Sequence, residues 1–273
     1  MAAPRALCCL APQPAPAYSV FRPSQRASAV LCSATASKAT CWLVGAGPGP
    51  ADLLTVRAAE VLRRAEVVIY DDLGAAAAVE AYAPPSAERV YVGKRGGRPS
   101  IKQAEIDELL VQAAASGRTL VRLKGGCPSV FSRVHSELAA LRAAGIAYEV
   151  VPGVSSALAA PLAAGFPLTH PELSKAFVVT SAHDTDAMDW PALAAQPTAV
   201  FLMGGRSLPQ IVEQLQRHGR RGDTPVAVVR QAAGEEQAVW RGTLASIVEQ
   251  TAGERLSPCI VVVGQVASLF VPQ

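Results

Sequence analysis

A glycine-rich turn between an apolar run and a helical pattern has the residue types that most clearly suggest a ligand site. Residues 44–55 read Val-Gly-Ala-Gly-Pro-Gly-Pro-Ala-Asp-Leu-Leu-Thr, which predicts a buried strand, a tight turn and a helix. Glycines let the backbone come close to a ligand where a Cβ would intrude. Pro48 removes one N–H donor, and neither nucleotide-binding glycine pattern is present, so a phosphate site is not indicated. The turn either contacts another ligand or only packs closely.

Carboxylates and hydroxyls follow two further apolar runs. Asp71 and Asp72 come directly after Ile69-Tyr70, where they could cap local structure or act as a base or cation partner at the end of a strand. Ser155 and Ser156 follow Val-Pro-Gly at the start of a helical pattern. Their hydroxyls could cap that helix or face a ligand. Both segments are therefore candidate site positions.

Cations accompany glycines near several predicted strand ends. They are Lys94, Arg95, Arg98, Arg122, Lys124, Arg133 and Arg206. This pattern suits a substrate with several carboxylates. It does not favour nucleic acid, because the basic residues are not interleaved with aromatic ones. His170 and His183 stand alone, and no Cys-x-x-Cys spacing occurs, so no metal site is predicted.

Apolar runs alternate with helical patterns along most of the chain. This alternation predicts an α/β fold with largely parallel sheets, whose ligands bind beyond the carboxyl ends of the strands. Pro-Leu-Thr-His-Pro at 167–171 interrupts the pattern and marks a predicted boundary between an N-terminal α/β domain, 41–170, and a C-terminal α/β domain, 171–273. Strands are predicted at 42–44, 67–70, 89–92, 119–123, 147–151, 177–181, 198–202, 225–229 and 258–263. Helices are predicted near 54–64, 102–116, 134–144, 155–164, 207–218 and 243–250.

The first 40 residues differ from the rest in composition. They contain four of the chain's 25 Lys and Arg residues, none of its 22 Asp and Glu residues, and many Ala, Ser and Pro residues. This composition is typical of an organelle transit peptide, with chloroplast favoured over mitochondrion; the alternative is a disordered tail. Without these residues the charges nearly balance, so the basic pI does not indicate nucleic-acid binding. No apolar stretch is long enough to predict a membrane span.

Taken together, the motifs resemble the tetrapyrrole methylase family from about Cys41 to Val271. Their order and spacing carry this resemblance more than any single motif does. The matching segments are VGAGPG, ADLLT, VVIYDD, VGKR, QAEID, VRLKGG, VPGVSSA, GFPLTH, FLMG and SPCIVVVG.

The resemblance implies two α/β domains with an active-site cleft between them, a homodimer, and S-adenosylmethionine (SAM) as the methyl donor without a metal. It further implies C-methylation of uroporphyrinogen III to precorrin-2 in sirohaem biosynthesis. The family positions implied in proton transfer fall on Asp71 and Lys94. Those implied in SAM contact fall on Pro48, Gly125, Gly126, Cys127, Val130, Ser155, Ser156, Met203 and Ala232.

This chain departs from the family pattern near the predicted SAM site. Cys127 stands where relatives carry an aspartate, and glycines that relatives carry in the following segment are replaced. Two alternatives therefore stay open beside the implied reaction. The chain could be a methylase of a later precorrin, or a weakly active or non-catalytic protein that binds a tetrapyrrole.

Overall fold

The computed structural model describes residues 40–71, 74–93 and 101–269, and it arranges them as an α/β fold. The first half forms a sheet with strand order β3-β2-β4-β1-β5, in which every pairing is parallel. Its strands are β1 (Cys41–Gly45), β2 (Val67–Tyr70), β3 (Glu88–Tyr91), β4 (Leu120–Lys124) and β5 (Tyr148–Val151). The helices around it are α1 (Val56–Leu62), α2 (Ala75–Tyr82), α3 (Gln103–Ala115) and α4 (Val134–Ala143).

Apolar side chains on both faces of β4 explain why the first sheet is buried. Val121 and Leu123 pack in the core that includes residues of α1 and α2, whereas Leu120 packs in the core that includes residues of α3 and α4. Successive side chains of a strand point to opposite faces. Arg122 and Lys124 therefore share the face of Leu120, which is covered by α3 and α4.

The second half forms a mixed sheet with strand order β6-β7-β10-β8-β9. Its strands are β6 (Phe177–Ser181), β7 (Thr198–Leu202), β8 (Pro225–Arg230), β9 (Ala238–Thr243) and β10 (Cys259–Gly264). The helices of this part are α5 (Ser156–Ala163), α6 (Trp190–Ala194), α7 (Leu208–Arg217) and α8 (Ile247–Gln250). Ala157 and Ala160 of α5 pack in one core with Val200, Val229 and Val262 of this sheet.

The prediction of largely parallel sheets is wrong for the second sheet. There β6 and β7 pair in parallel, but β7–β10, β10–β8 and β8–β9 are antiparallel. The short connection between β8 and β9 can join only antiparallel neighbours, because parallel strands need a crossover of a dozen or more residues. Strand β9 was not predicted, since it is a half-buried edge strand that contains Arg241 and Gly242.

The fold class is confirmed, while the boundary between 170 and 171 stays a prediction. Residues 38–273 form one compact unit, and α5, which precedes that boundary, belongs to the core of the second sheet. The predicted transit segment lies outside the described residues except for Thr40. No helix of the described part is long and apolar enough to cross a membrane.

Candidate active site

Loops at the carboxyl ends of strands from both sheets surround one cavity of about 1070 Å³. From the first sheet come the glycine-rich turn after β1, Asp71 after β2 and the segment after β4. From the second sheet come Met203 after β7 and the loop after β8. Sites for a single small ligand usually measure about 300–1,000 Å³. This cavity lies at the upper end of that range, so it has room for a large ligand.

The strand order explains why the cavity opens beside β2 and β4. These strands are neighbours, but the chain leaves β2 toward β3 and leaves β4 toward β5, in opposite directions along the sheet. Loops that diverge in this way leave a crevice at the carboxyl edge of the sheet, where ligands of α/β proteins bind. Backbone hydrogen bonds hold the loop after β1 against the loop after β4: Ala46 N donates to Lys124 O (2.7 Å), and Gly47 and Gly126 donate to each other's carbonyls (3.2 and 2.8 Å).

Every residue that the resemblance assigned to SAM contact lines this cavity. These residues are Pro48, Gly125, Gly126, Cys127, Val130, Ser155, Ser156, Met203 and Ala232. Asp71 lines it as well. Lys94, the second predicted proton-transfer residue, lies outside the described residues, as do Asp72, Arg95 and Arg98. The structure thus brings the predicted positions together, and their individual roles stay predictions.

Hydroxyl caps fix the starts of the helices that follow β1 and β5. The Ser155 side chain caps α5 by accepting a hydrogen bond from Ala157 N (3.3 Å). Thr55 accepts one from Ala58 N (3.2 Å) at the start of α1 and donates one to Pro152 O (3.3 Å). Both alternatives for Ser155 therefore hold in part, because it caps a helix and also lines the cavity. These hydrogen bonds hold the turns after β1 and β5 in fixed positions beside the cavity.

Backbone strain is concentrated around the same cavity. Five non-glycine residues of the described part have positive φ angles: Phe131 (46°), Arg133 (58°), Met203 (59°), Gln231 (45°) and Ala233 (62°). All five line the cavity. Such conformations are unfavourable for residues with a Cβ and persist where the surroundings enforce them, often at ligand sites.

Asp71 is held from two sides at the wall of the cavity. Its Oδ1 accepts a hydrogen bond from Gly125 N (3.1 Å), and its Oδ2 lies 3.4 Å from a terminal nitrogen of Arg122. The Asp71 side chain keeps 25% of its surface exposed, whereas that of Arg122 keeps only 4%. Asp71 does not cap the following helix, because the N-cap of α2 is Gly74. Its carboxylate is therefore both anchored and accessible.

The interpretation of Arg122 and Lys124 as loop cations is wrong, although Lys124 borders the cavity. Both lie within β4, both are buried, and both contact Oε1 of the buried Glu137, at 3.0 Å from Arg122 Nε and 2.6 Å from Lys124 Nζ. Burial lowers the pKa of the Lys124 ammonium and the charge of Arg122 lowers it further, while Glu137 and Asp71 oppose this shift. Among the residues that the structure describes, the exposed cations at the cavity are Arg133 and Arg206.

Cys127 contributes a thiol to the cavity wall. Its Sγ lies 3.0 Å from the hydroxyl oxygen of Ser129. Partial burial raises the pKa of this thiol, but hydrogen bonds with the Ser129 side chain and with the backbone of Gly153 and Ser129 outweigh burial and leave the pKa below its ordinary value. Cys127 is thus the most readily ionised thiol of the three that the structure describes.

Sequence reasoning missed two parts of the site. Glu137 was assigned no role, because its pairing with Arg122 and Lys124 depends on how α4 packs against β4. The loop after β8 lines the cavity from Gln231 to Glu236, and only Ala232 of this loop was predicted. Among the described residues, no group of three His, Cys, Asp or Glu side chains is placed to hold a metal ion.

Comparison with known proteins identifies the class to which this fold and site belong. Residues 40–248 match the family of Tetrapyrrole (Corrin/Porphyrin) Methylases. The chain belongs to this family.

Two relatives and one solved structure show how similar the chain is to individual proteins. The chain is 46% identical over 228 residues to a uroporphyrinogen-III C-methyltransferase of Synechococcus elongatus, covering 84% of this chain and 93% of that protein. It is 45% identical over 231 residues to a siroheme synthase of Tolumonas auensis, covering 83% of this chain but 49% of that protein. The crystal structure of the Thermus thermophilus uroporphyrin-III C-methyl transferase complexed with S-adenyl homocysteine matches with a TM-score of 0.73 and 37% identity, covering 84% of this chain and 99% of that chain.

Proposed function

We propose that this protein uses SAM to methylate uroporphyrinogen III at ring carbons, which forms precorrin-2 for sirohaem biosynthesis. One observation carries the proposal: all the described residues that the family resemblance assigned to SAM and to proton transfer line a single cavity. Relatives at 45–46% identity that are named for this reaction and for siroheme synthesis support it.

The residues of the cavity fit SAM and a tetrapyrrole bound together. Bound SAM would supply a methyl group on a positively charged sulfur. The loops that contain Pro48, Gly126, Ser156 and Met203 would hold it, since these loops border the cavity from several strand ends. The remaining space and the exposed Arg133 and Arg206 suit a large substrate rich in carboxylates.

Asp71 is placed to assist the reaction at the substrate ring. Methylation of a pyrrole carbon leaves the ring system cationic until a proton departs, and a carboxylate beside the ring stabilises that charge or accepts the proton. Asp71 lines the cavity with part of its surface exposed. Methyl transfer also requires close alignment of donor and acceptor, which the hydrogen-bonded loops after β1 and β4 would provide.

Incubating the full chain with SAM and uroporphyrinogen III tests the proposal. We expect a product heavier by two methyl groups, and an Asp71→Asn variant that binds SAM but forms product much more slowly. Uroporphyrinogen left unchanged while precorrin-2 is methylated would favour the later-precorrin methylase. Tetrapyrrole binding without any methyl transfer would favour the non-catalytic alternative.

The acid-free composition of residues 1–40 supports import into the chloroplast stroma as a second proposal. Cleavage is expected at about residues 31–40. A fluorescent reporter fused behind these residues should enter chloroplasts and lose the segment there. A reporter that stays in the cytosol, or one that enters mitochondria, would contradict the proposal.

An exposed apolar face on α5 supports assembly as a homodimer. Leu158 and Leu162 lie four residues apart, on one side of the helix, and are 51% and 64% exposed; Val154 just before the helix is 38% exposed. Large apolar side chains grouped on a surface often mark a protein interface. Sedimentation should give a dimer for the natural chain and a monomer for Leu158→Glu. A natural chain that sediments as a monomer at micromolar concentration would contradict this.

A further inference from the structure

Behind the cavity wall lies a buried group of charges that extends from α4 to Asp71. Glu137 of α4 has no exposed surface, and its Oε1 contacts both Arg122 and Lys124 of β4. Its Oε2 has no hydrogen-bond partner among the described residues. Arg122 and Glu137 do not border the cavity, whereas Asp71 and Lys124 do. The first two residues therefore do not face the cavity themselves and act on it through the residues that they contact.

The guanidinium of Arg122 connects Glu137 to Asp71. Its Nε bonds to Glu137, one terminal nitrogen donates to the carbonyls of Leu123 (2.9 Å) and Ile69 (3.4 Å), and the other lies 3.4 Å from Asp71 Oδ2. A planar guanidinium held at several nitrogens has one orientation. The orientation of Arg122 therefore fixes the position of one Asp71 oxygen, while Gly125 N fixes the other.

Stability alone is a weak reason for such an arrangement. Burying charges costs desolvation energy that their attraction often fails to repay, and apolar side chains of similar volume usually serve a core as well. Asp71, by contrast, gains a defined position at the point where the proposed reaction needs a carboxylate. The buried group contains two cations, Arg122 and Lys124, and two carboxylates, Asp71 and Glu137.

We propose that Glu137 and Arg122 are positioning residues, whose effect on methyl transfer passes through the Asp71 carboxylate, which they hold in its productive orientation, and not through Lys124. This inference rests on the proposed function, because it assigns the network a part in that reaction. It predicts that disturbing Glu137 slows turnover when Asp71 is a carboxylate and has little effect when Asp71 has been replaced.

A double-mutant cycle with Glu137→Gln and Asp71→Asn tests this inference. Glu137→Gln keeps the shape of the side chain but removes the charge that holds Arg122. In the natural background we expect a loss of roughly 10- to 100-fold in kcat, the effect of a misplaced reacting group. In the Asp71→Asn background we expect Glu137→Gln to lower kcat further by less than about twofold. The effects of two substitutions on kcat are not additive when one residue acts through the other. Single-turnover measurements with excess enzyme keep the slow variants measurable.

Two controls separate positioning from folding. The affinity for S-adenosylhomocysteine, measured by calorimetry, should stay within about threefold of the natural value in all variants. Glu213→Gln removes the exposed ion pair with Arg217 (2.6 Å) and should leave kcat unchanged. If Glu137→Gln does not fold, Arg122→Lys replaces it in the cycle, since it keeps the buried charge but cannot bridge Glu137 and Asp71 as the guanidinium does.

The outcomes distinguish this inference from the proposed function. A natural chain that does not methylate uroporphyrinogen III defeats both. If the natural chain methylates uroporphyrinogen III, but Glu137→Gln lowers kcat by the same factor in both backgrounds, the proposed function stands. The positioning role is then overturned. An unchanged kcat in Glu137→Gln or in Asp71→Asn overturns it as well.

Discussion

Gly153 lies directly against Gly45, so closely that neither position has room for a side chain. A Cβ on Gly153 would lie 2.8 Å from the Cα of Gly45 and 2.3 Å from the carbonyl oxygen of Gly126. The loops after β1, β4 and β5 meet at this point, and each contributes residues to the cavity. The glycines are therefore required for close packing of backbone beside the site.

Gly153→Ala should weaken both the fold and SAM binding. The added methyl group must push the loops apart, and overpacking of this kind costs roughly 1–3 kcal/mol. Urea unfolding and calorimetry with SAM would measure the two effects. Gly222→Ala is the matched control, because the nearest atom to its added Cβ is the flexible end of Gln216. Equal stabilities of the two variants would show that the loops separate without cost.

Cys127→Asp should tighten SAM binding. A carboxylate at this cavity position can accept a charge-assisted hydrogen bond, whereas a neutral thiol does so poorly. The gain of one such bond is worth roughly 1.5–3 kcal/mol, or about a ten- to hundred-fold lower Kd. Calorimetry under reducing conditions compares the variant with the natural chain, and Cys127→Ser serves as the neutral control. Equal affinities would mean that the thiol packs as a small side chain and the carboxylate is dispensable here.

Thiol reagents should modify Cys127 before Cys41 and Cys259. The thiolate is the reactive form, and the pKa of Cys127 is lowered, whereas burial raises the pKa of Cys41 to about 12 and that of Cys259 to about 11. Iodoacetamide labelling at pH 8 followed by peptide mass mapping would give the order. Bound S-adenosylhomocysteine should protect Cys127, and unfolding in urea should make the three thiols react alike. Native labelling of Cys41 at the rate of Cys127 would refute the assignment.

Alkaline pH should destabilise the protein through Cys41. Burial, with a smaller contribution from the charge of Glu137, raises its pKa from 9.0 to about 12. Between these values the unfolded thiol has lost its proton and the folded thiol keeps it, so the free energy of unfolding falls as pH rises, by roughly 1 kcal/mol per pH unit. Below pH 9 this contribution is constant. Cys41→Ala should make the decline seen in urea unfolding between pH 9 and 11 less steep, and the raised pKa of Cys259 accounts for part of the decline that remains. A decline as steep as that of the natural chain would contradict the origin proposed for it.

Most strands could be predicted, because a buried strand appears in the sequence as a short run of apolar residues. The apolar runs at 67–70, 177–181 and 198–202 coincide with β2, β6 and β7. Strand β9 lies at the edge of its sheet, where half-buried positions allow arginine and glycine, so its residues lack the apolar pattern. Helix α2 was not predicted, because its opening run of alanines has no polar face to reveal a period.

The site residues that lie in glycine-rich turns or in family motifs could be predicted from the sequence. Residues such as Gly126 and Ser156 follow apolar runs, and strand ends meet at one edge of a sheet. The positions that escaped prediction depend on tertiary packing. Glu137 matters only because α4 lies against the buried face of β4. Gln231 and Ala233 adopt positive φ angles that their residue types do not favour.

The most direct test of the account follows the methyl group itself. SAM labelled with carbon-13 in its methyl group would be incubated with uroporphyrinogen III and the full chain, and the product would be studied by NMR. We expect two labelled methyl groups on ring carbons, and we expect Asp71→Asn to slow the labelling strongly. Label that remains on SAM, or that appears as methyl esters of the substrate carboxylates, would contradict it.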